Sequence, residues 1–308
     1  MALTNARKAY GEALAAFAEN DKRIVCLEAD LGKSTQTVIF EKRIPERFFE
    51  MGIAEANMVS FAAGTALMGK VPFLHSFAVF STGRVYDQIR ASLCIPNLHA
   101  VIIGGSSGLS DAADGSTHQS VEDIAIMRAL PNMTVLCPAD AFEVIQMTKT
   151  AINLDGPVYI RLCRSDMPDI LDPNSRYEFG KMIPVKKDGD IAIIASGIMV
   201  SHALEAANKL SHEGINARVI NCGCIKPLDT VTLGRIASEV KGIITVEEHS
   251  VIGGLGSAIA EALCSRPHPP IKIIGVQDKF GCSAYTPAEL YKHYGLTSDD
   301  IVRAAKEF

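Results

Sequence analysis

Short runs of aliphatic and β-branched residues alternate with amphipathic helical stretches along this chain, and they do so twice. In the first half, strand-like runs fall at 23–27, 71–74, 99–103, 134–136 and 158–162, with helical periodicity at 6–17, 56–68, 83–94 and 141–153. In the second half, strands at 191–195, 217–221, 243–246 and 271–274 alternate with helices at 200–211, 231–240 and 256–263. Strand–helix–strand crossovers write this alternation into a sequence, so each half predicts an α/β domain on a parallel sheet. Thr4 and Asp140 stand where the N-caps of 6–17 and 141–153 belong, and Ser298, followed by Asp299 and Asp300, starts a terminal helix. Between the halves, 164–187 carries three prolines and little apolar pattern, which predicts a linker. The expected domains are 1–165 and a smaller 187–308, joined by 166–186.

Composition narrows the class. Apolar residues are 48% and charged residues 21% of 308, with a net charge of −5 and scattered basic residues. That is a globular balance without the basic patch of a nucleic-acid binder. No apolar run is long enough to cross a bilayer, and the N-terminus lacks the pattern of a secretion signal. Eight cysteines, several inside apolar runs such as Ile24-Val25-Cys26-Leu27, read as buried free thiols of a cytoplasmic protein. Cys222-Gly223-Cys224 has no second Cys or His pair at zinc spacing, so no metal is assigned to this chain.

Two glycine motifs are decoys. Gly32-Lys33-Ser34-Thr35 resembles the end of a nucleotide P-loop, but Leu27 occupies the position of the first required glycine. Gly253-Gly254-Leu255-Gly256 resembles a dinucleotide turn, but Ile259 stands at the third glycine position. Tight helix–strand packing is the expected role there. Glu247-Glu248-His249 lacks a third ligand at metal spacing and is expected at a strand end that shapes a subunit interface.

A different set of residues forms an ordered series: Gly52-Ile53-Ala54-Glu55, Ala62-Ala63-Gly64, Phe77 and Phe80, Asp87-Gln88-Ile89-Arg90, and Asp114-Gly115 followed by His118-Gln119. Glu55 opens a helix, where an acidic residue is ordinary on its own. Ala62, Ala63, Gly64 and Ala66 make a small-residue face that admits a close neighbour. No Gly-Asp-Gly with a downstream Asn, the usual diphosphate and metal clamp for thiamine diphosphate, is present. With Glu28-Ala29-Asp30-Leu31 and Ser34 near the start, and Asp278-Lys279-Phe280-Gly281 near the end, the chain resembles the C-terminal half of transketolase, in the form split into two chains.

The resemblance implies a pyrimidine-binding domain and a transketolase C-terminal domain, and a subunit that transfers a two-carbon ketol unit from a ketose or ketose phosphate to an aldose. Glu55 would hydrogen-bond N1′ of the thiamine aminopyrimidine, sharing a proton with the ring and so making its exocyclic nitrogen a base. Phe77, Phe80 and Ile53 would surround that ring, Phe80 most directly. Asp114 would read the donor's hydroxyls, His118 would serve catalysis and substrate binding, Asp30 would reach substrate, and Ser34, His118 and Arg164 would hold a phosphate. An N-terminal partner subunit would bring the diphosphate clamp and Mg²⁺ or Ca²⁺, giving an α2β2 assembly with sites at chain interfaces.

Two positions depart from the family pattern: Ser106 stands where transketolases carry a histidine, and Gly83 where a further aromatic is expected. The segment 109–115 also resembles 1-deoxyxylulose-5-phosphate synthase. The remaining alternatives are the β subunit of a 2-oxo acid dehydrogenase and a non-catalytic scaffold.

Overall fold

The computed structural model describes residues 1–308. Its larger sheet has seven strands in the order Cys224–Lys226, Thr134–Leu136, Val158–Arg161, Val101–Gly105, Val71–Phe77, Ile24–Glu28 and Phe48–Glu50. All neighbours run parallel except the Cys224–Lys226 edge. Every residue of the strands Ile24–Glu28, Val71–Phe77 and Val101–Gly105 is buried, as in a parallel sheet covered on both faces. The smaller sheet orders Ile271–Val276, Gly242–Ser250, Ile191–Ala195, Ala217–Asn221 and Ile183–Lys186, again parallel apart from the last strand. The fold is thus the expected pair of α/β units.

The segment between the units is more structured than its prolines suggest. Met167–Pro168 pairs antiparallel with Leu3–Thr4, and Ile183–Lys186 closes the edge of the second sheet. Proline is tolerated in both because edge strands leave backbone donors unused. Cys224–Lys226 then crosses back onto the first sheet. Helix ends shift by one residue. Asn5, not Thr4, accepts from the Lys8 N–H at 2.9 Å. Thr297, not Ser298, caps the terminal helix, with Asp300 completing a capping box. Asp140 caps Ala141–Ala151 as expected. The stretch 83–94 is a turn, one short helix Tyr86–Gln88 and a π-helical segment Ile89–Cys94, in place of one continuous α-helix.

The two units share one apolar core: a single cluster of 49 buried residues includes Ile103, Ile160 and Leu162 from the first, and Ile193, Val200 and Tyr291 from the second. A buried polar joint lies beside it. Arg161, 4% exposed, donates from Nε to Asp123 Oδ2 at 2.8 Å and from Nη2 to the carbonyls of Glu248 at 2.8 Å and Ser120 at 3.3 Å. The Tyr159 hydroxyl donates to the same Asp123 oxygen at 2.7 Å. Burial is the largest single influence and works against the Asp123 charge, but Arg161, His249 and the Tyr159 hydroxyl together hold the carboxyl below its ordinary value. Glu248 accepts from the Leu109 N–H and the Tyr291 hydroxyl, each at 3.0 Å.

Glu247, Glu248 and His249 are all buried in this joint, which corrects the expectation of a subunit-facing strand end. Glu248 and His249 meet the other half of their own chain, at Leu109, Arg161 and the Ala125 N–H, while Glu247 turns back onto Leu255 and Gly256 of its own half. Because Asp123 has no exposure to water, Arg161→Met strands a buried carboxylate. The expected loss is about 3–5 kcal/mol of unfolding free energy by urea denaturation, and a change below about 1 kcal/mol contradicts this joint.

Candidate active site

A parallel sheet delivers its strand ends to one edge, and open α/β sheets bind ligands there. The residues singled out from sequence emerge from that edge. Asp30 and Ser34 follow Ile24–Glu28, Glu55 follows Phe48–Glu50, and Phe77 is the last residue of Val71–Phe77. Ser106, Asp114 and His118 follow Val101–Gly105, and Arg164 follows Val158–Arg161.

Local hydrogen bonds fix these loops. Glu28 is buried and accepts four of them. Oε1 takes the N–H of Ala29 at 3.0 Å and of Leu31 at 3.2 Å, and Oε2 takes the hydroxyls of Thr35 and Thr37, both at 2.6 Å. This shapes the loop that bears Asp30 and Ser34. Glu50 Oε1 accepts from Asp30 N–H at 2.9 Å and Gly52 N–H at 2.8 Å, tying that loop to the turn before Glu55. Gly52 sits at φ 68 in the turn, a conformation that favours glycine. Thr35, spent on Glu28, is unavailable to a phosphate.

Glu55 is the first residue of the helix Glu55–Leu67 and is buried, its side chain 4% exposed. Its Oε1 accepts from Arg84 Nη1 at 2.8 Å. Phe77 and Phe80 stack with centroids 6.2 Å apart and planes 17° apart. His118 meets both edge-on, at 6.1 Å from Phe77 and 5.3 Å from Phe80. The structure therefore joins His118 to the aromatic pair, which the sequence reading kept in separate roles. Ile53 projects from the same turn, 75% exposed. Asp30 and Asp114 are exposed.

Arg164 donates from Nη1 to Asp111 Oδ2 at 2.6 Å, and its guanidinium lies 5.8 Å from the Phe77 ring centre. Burial raises the Asp111 pKa and the nearby Asp114 charge adds to this, while Arg164 opposes both. Arg7 reaches the same place, donating to the Ser34 carbonyl at 2.7 Å. Burial and then the Arg164 charge lower its pKa, so the two guanidinium groups are neighbours. Arg7 and Arg84 were not singled out from the sequence, and Glu28 and Asp111 stood inside recognised motifs without a role. Their only signal was charge inside otherwise apolar or motif-bearing segments.

The departures from the family pattern have a physical setting. Ser106 is buried at φ 50, and its hydroxyl has no protein partner. Gly83 has no positive φ, and a Cβ there would meet only the Val79 carbonyl at 3.5 Å, so the backbone does not demand glycine.

The decoys resolve as packing. Glu247 accepts from the N–H groups of Leu255 at 2.6 Å and Gly256 at 2.8 Å, filling the helix start that a dinucleotide would need. A Cβ on Gly254 would collide with that carboxylate. No group of three or more His, Cys, Asp or Glu side chains is placed to hold a metal ion. All eight cysteines are free, and six are buried. No helix is long and apolar enough to cross a membrane.

A buried carboxylate beside a flat aromatic face fits a planar, proton-sharing nitrogen heterocycle. The Arg84 guanidinium shows the fit, since it is a planar N–H donor bonded to Glu55 and stacked 4.0 Å from the Phe80 ring centre. Residues 4–169 match the model of the transketolase pyrimidine binding domain, and 180–301 match the transketolase C-terminal domain. The chain belongs to the transketolase family. It is 41% identical over 301 residues to a 6-deoxy-6-sulfo-D-fructose transketolase subunit from Clostridium sp. (strain MSTE9), covering 98% of this chain and 93% of that one. It superimposes at a TM-score of 0.91 on a split gene transketolase in an inactive β4 tetramer, at 46% identity over 99% of this chain and 98% of that one. A 1-deoxy-D-xylulose-5-phosphate synthase of Caldanaerobacter subterraneus subsp. tengcongensis is 38% identical, but this transketolase-family chain spans only 47% of its length. The chain is thus a transketolase subunit of the split form, a transferase component that works with a second chain.

Burial raises Glu28 from its ordinary 4.5 to about 7. A raised carboxyl contributes stability that is complete below about pH 4.5 and lost as pH climbs through about 7. Glu28→Gln keeps acceptor and donor for the four partners and cannot titrate. Its melting temperature should therefore fall less than wild type's between pH 5 and 8 in thermal denaturation. Equal slopes contradict the assignment.

Proposed function

We propose that this chain is the C-terminal subunit of a cytoplasmic two-chain transketolase that moves a two-carbon ketol unit from a ketose donor to an aldose acceptor. Its cofactor would be thiamine diphosphate, with the diphosphate and its Mg²⁺ or Ca²⁺ held by an N-terminal subunit in an α2β2 assembly. The observation that carries this reading is the pairing of buried Glu55 with the stacked Phe77 and Phe80, at the sheet edge where the charged loops converge. When bound, thiamine diphosphate supplies the electron sink for breaking and making the carbon–carbon bond.

The chain's own groups have distinct tasks. Glu55 holds a proton at N1′ of the aminopyrimidine, and its burial keeps water from competing for that bond. Phe80 and Phe77 fix the plane of the ring, with Ile53 at its margin. His118, edge-on to both rings, and Asp114 lie where donor hydroxyls would enter, and His118 moves or stabilises a proton on the substrate oxygen. Arg164, Arg7 and Ser34 form the anion end of the channel, with Asp30 at its rim. Two adjacent guanidinium groups suit a phosphate or sulfonate on the sugar. Ser106 puts a small hydroxyl where a histidine is usual, which leaves space beside the donor.

Support for a partner comes from the outer side of helix Glu55–Leu67. Ile53, beside Glu55, and Phe61, Leu67 and Met68, which follow toward the helix's far end, are exposed. The inactive state of the β-only tetramer of the split-gene relative agrees with a need for the second chain.

In the reconstituted two-chain enzyme, Glu55→Ala should abolish ketol transfer while assembly persists; undiminished turnover contradicts the mechanism. One charge-assisted hydrogen bond is worth about 1.5–3 kcal/mol. Arg164→Met should therefore raise KM for phosphorylated or sulfonated donors about 10- to 100-fold while sparing neutral donors. An equal effect on neutral donors contradicts the anion assignment.

A further inference from the structure

Arg84 makes two contacts that together imitate a bound ring. Its Nη1 donates to Glu55 Oε1 at 2.8 Å, and its Cζ lies 4.0 Å from the centre of the Phe80 ring. A guanidinium is flat, delocalised and rich in N–H donors. An aminopyrimidine bonded to Glu55 and lying on Phe80 needs the same carboxylate and the same aromatic face, so the two cannot be seated together. We propose that Arg84 is a displaceable occupant of the ring pocket, which holds Glu55 and covers Phe80 until the aminopyrimidine enters and must swing out for it. This rests on reading Glu55 and Phe80 as ring-binding residues.

The surroundings of Arg84 suit displacement. It follows the short helix Ala78–Ser81 and the side-chain-free Gly83. Its side chain is 46% exposed, whereas that of Glu55 is 4% exposed. The outward path is therefore open to water. Glu55 is the single hydrogen-bonding partner of the guanidinium. Arg161 is the contrast, buried and fixed by Asp123 and two carbonyls. A carboxylate as buried as Glu55 needs a partner when no ring is bound, and Arg84 supplies one without being locked in place.

A pocket closed by its own side chain binds with an affinity reduced by the fraction of time that it is open. With the open rotamer populated about one time in ten, removing the guanidinium tightens binding about tenfold. The test is titration calorimetry of thiamine diphosphate, with Mg²⁺, into the reconstituted two-chain complex. Arg84→Met should lower Kd about tenfold relative to wild type. Arg84→Gln, which keeps a donor for Glu55 but loses the charge, should fall between them and serves if Arg84→Met fails to assemble. Unchanged or weaker binding by these variants overturns the displacement. Glu55→Gln in the Arg84→Met or Arg84→Gln background, where the competing guanidinium is gone, separates the two failures. It weakens binding relative to the Arg84 variant alone if the ring pocket is where it is proposed. Unchanged binding by that pair means that the pocket itself is misplaced, which overturns both readings.

Discussion

The constraint on which the rest depends is the common direction of the strands in the larger sheet. Parallel strands need crossovers, and crossovers return the chain to the same side each time. The loops after five strands that neighbour one another in the sheet therefore converge on one edge although they are far apart in sequence. Glu55, Phe77, His118 and Arg164 owe their proximity to this topology. The hydrogen bonds of Glu28 and Glu50 then set each loop's shape. Without those two carboxylates, Glu28 buried and Glu50 exposed, the 28–37 loop and the turn at Gly52 would have no common anchor.

The second unit takes part in this arrangement through direct contacts. Glu248 reaches the Leu109 N–H, and Ala284 N–H donates to the Ala112 carbonyl at 2.9 Å. Gln119 Nε2 donates to the carbonyls of Asp111 at 3.1 Å and Cys282 at 3.0 Å. These bonds brace the 109–119 loop that carries Asp111, Asp114 and His118. Together with the shared apolar core, they make the C-terminal unit a support for the substrate loop.

Much of the fold was legible because period and burial agree: fully apolar runs became central parallel strands, and amphipathic runs became their covering helices. What failed was local or long-range. Asn5 and Thr297 are caps that compete with polar neighbours one residue away, and sequence alone does not choose between them. Three-residue strands such as Phe48–Glu50 and Cys224–Lys226 are too short to show a period. Ile183–Lys186 was hidden by Pro184, which an edge strand tolerates. At the site, Glu55, the phenylalanines and the Asp-Gly-x-x-His-Gln run stood out as a series. Arg7, Arg84 and Asp111 did not, because their meaning lies in partners distant in the chain: Arg7 with Ser34, Arg84 with Glu55, and Asp111 with Arg164.

The central claim is that this chain holds half of a cofactor site. The most direct test is thiamine diphosphate binding by calorimetry on this chain, on its N-terminal partner and on their mixture. The account predicts binding by the mixture alone. Tight binding by this chain without the partner, or none even with it, would contradict that claim.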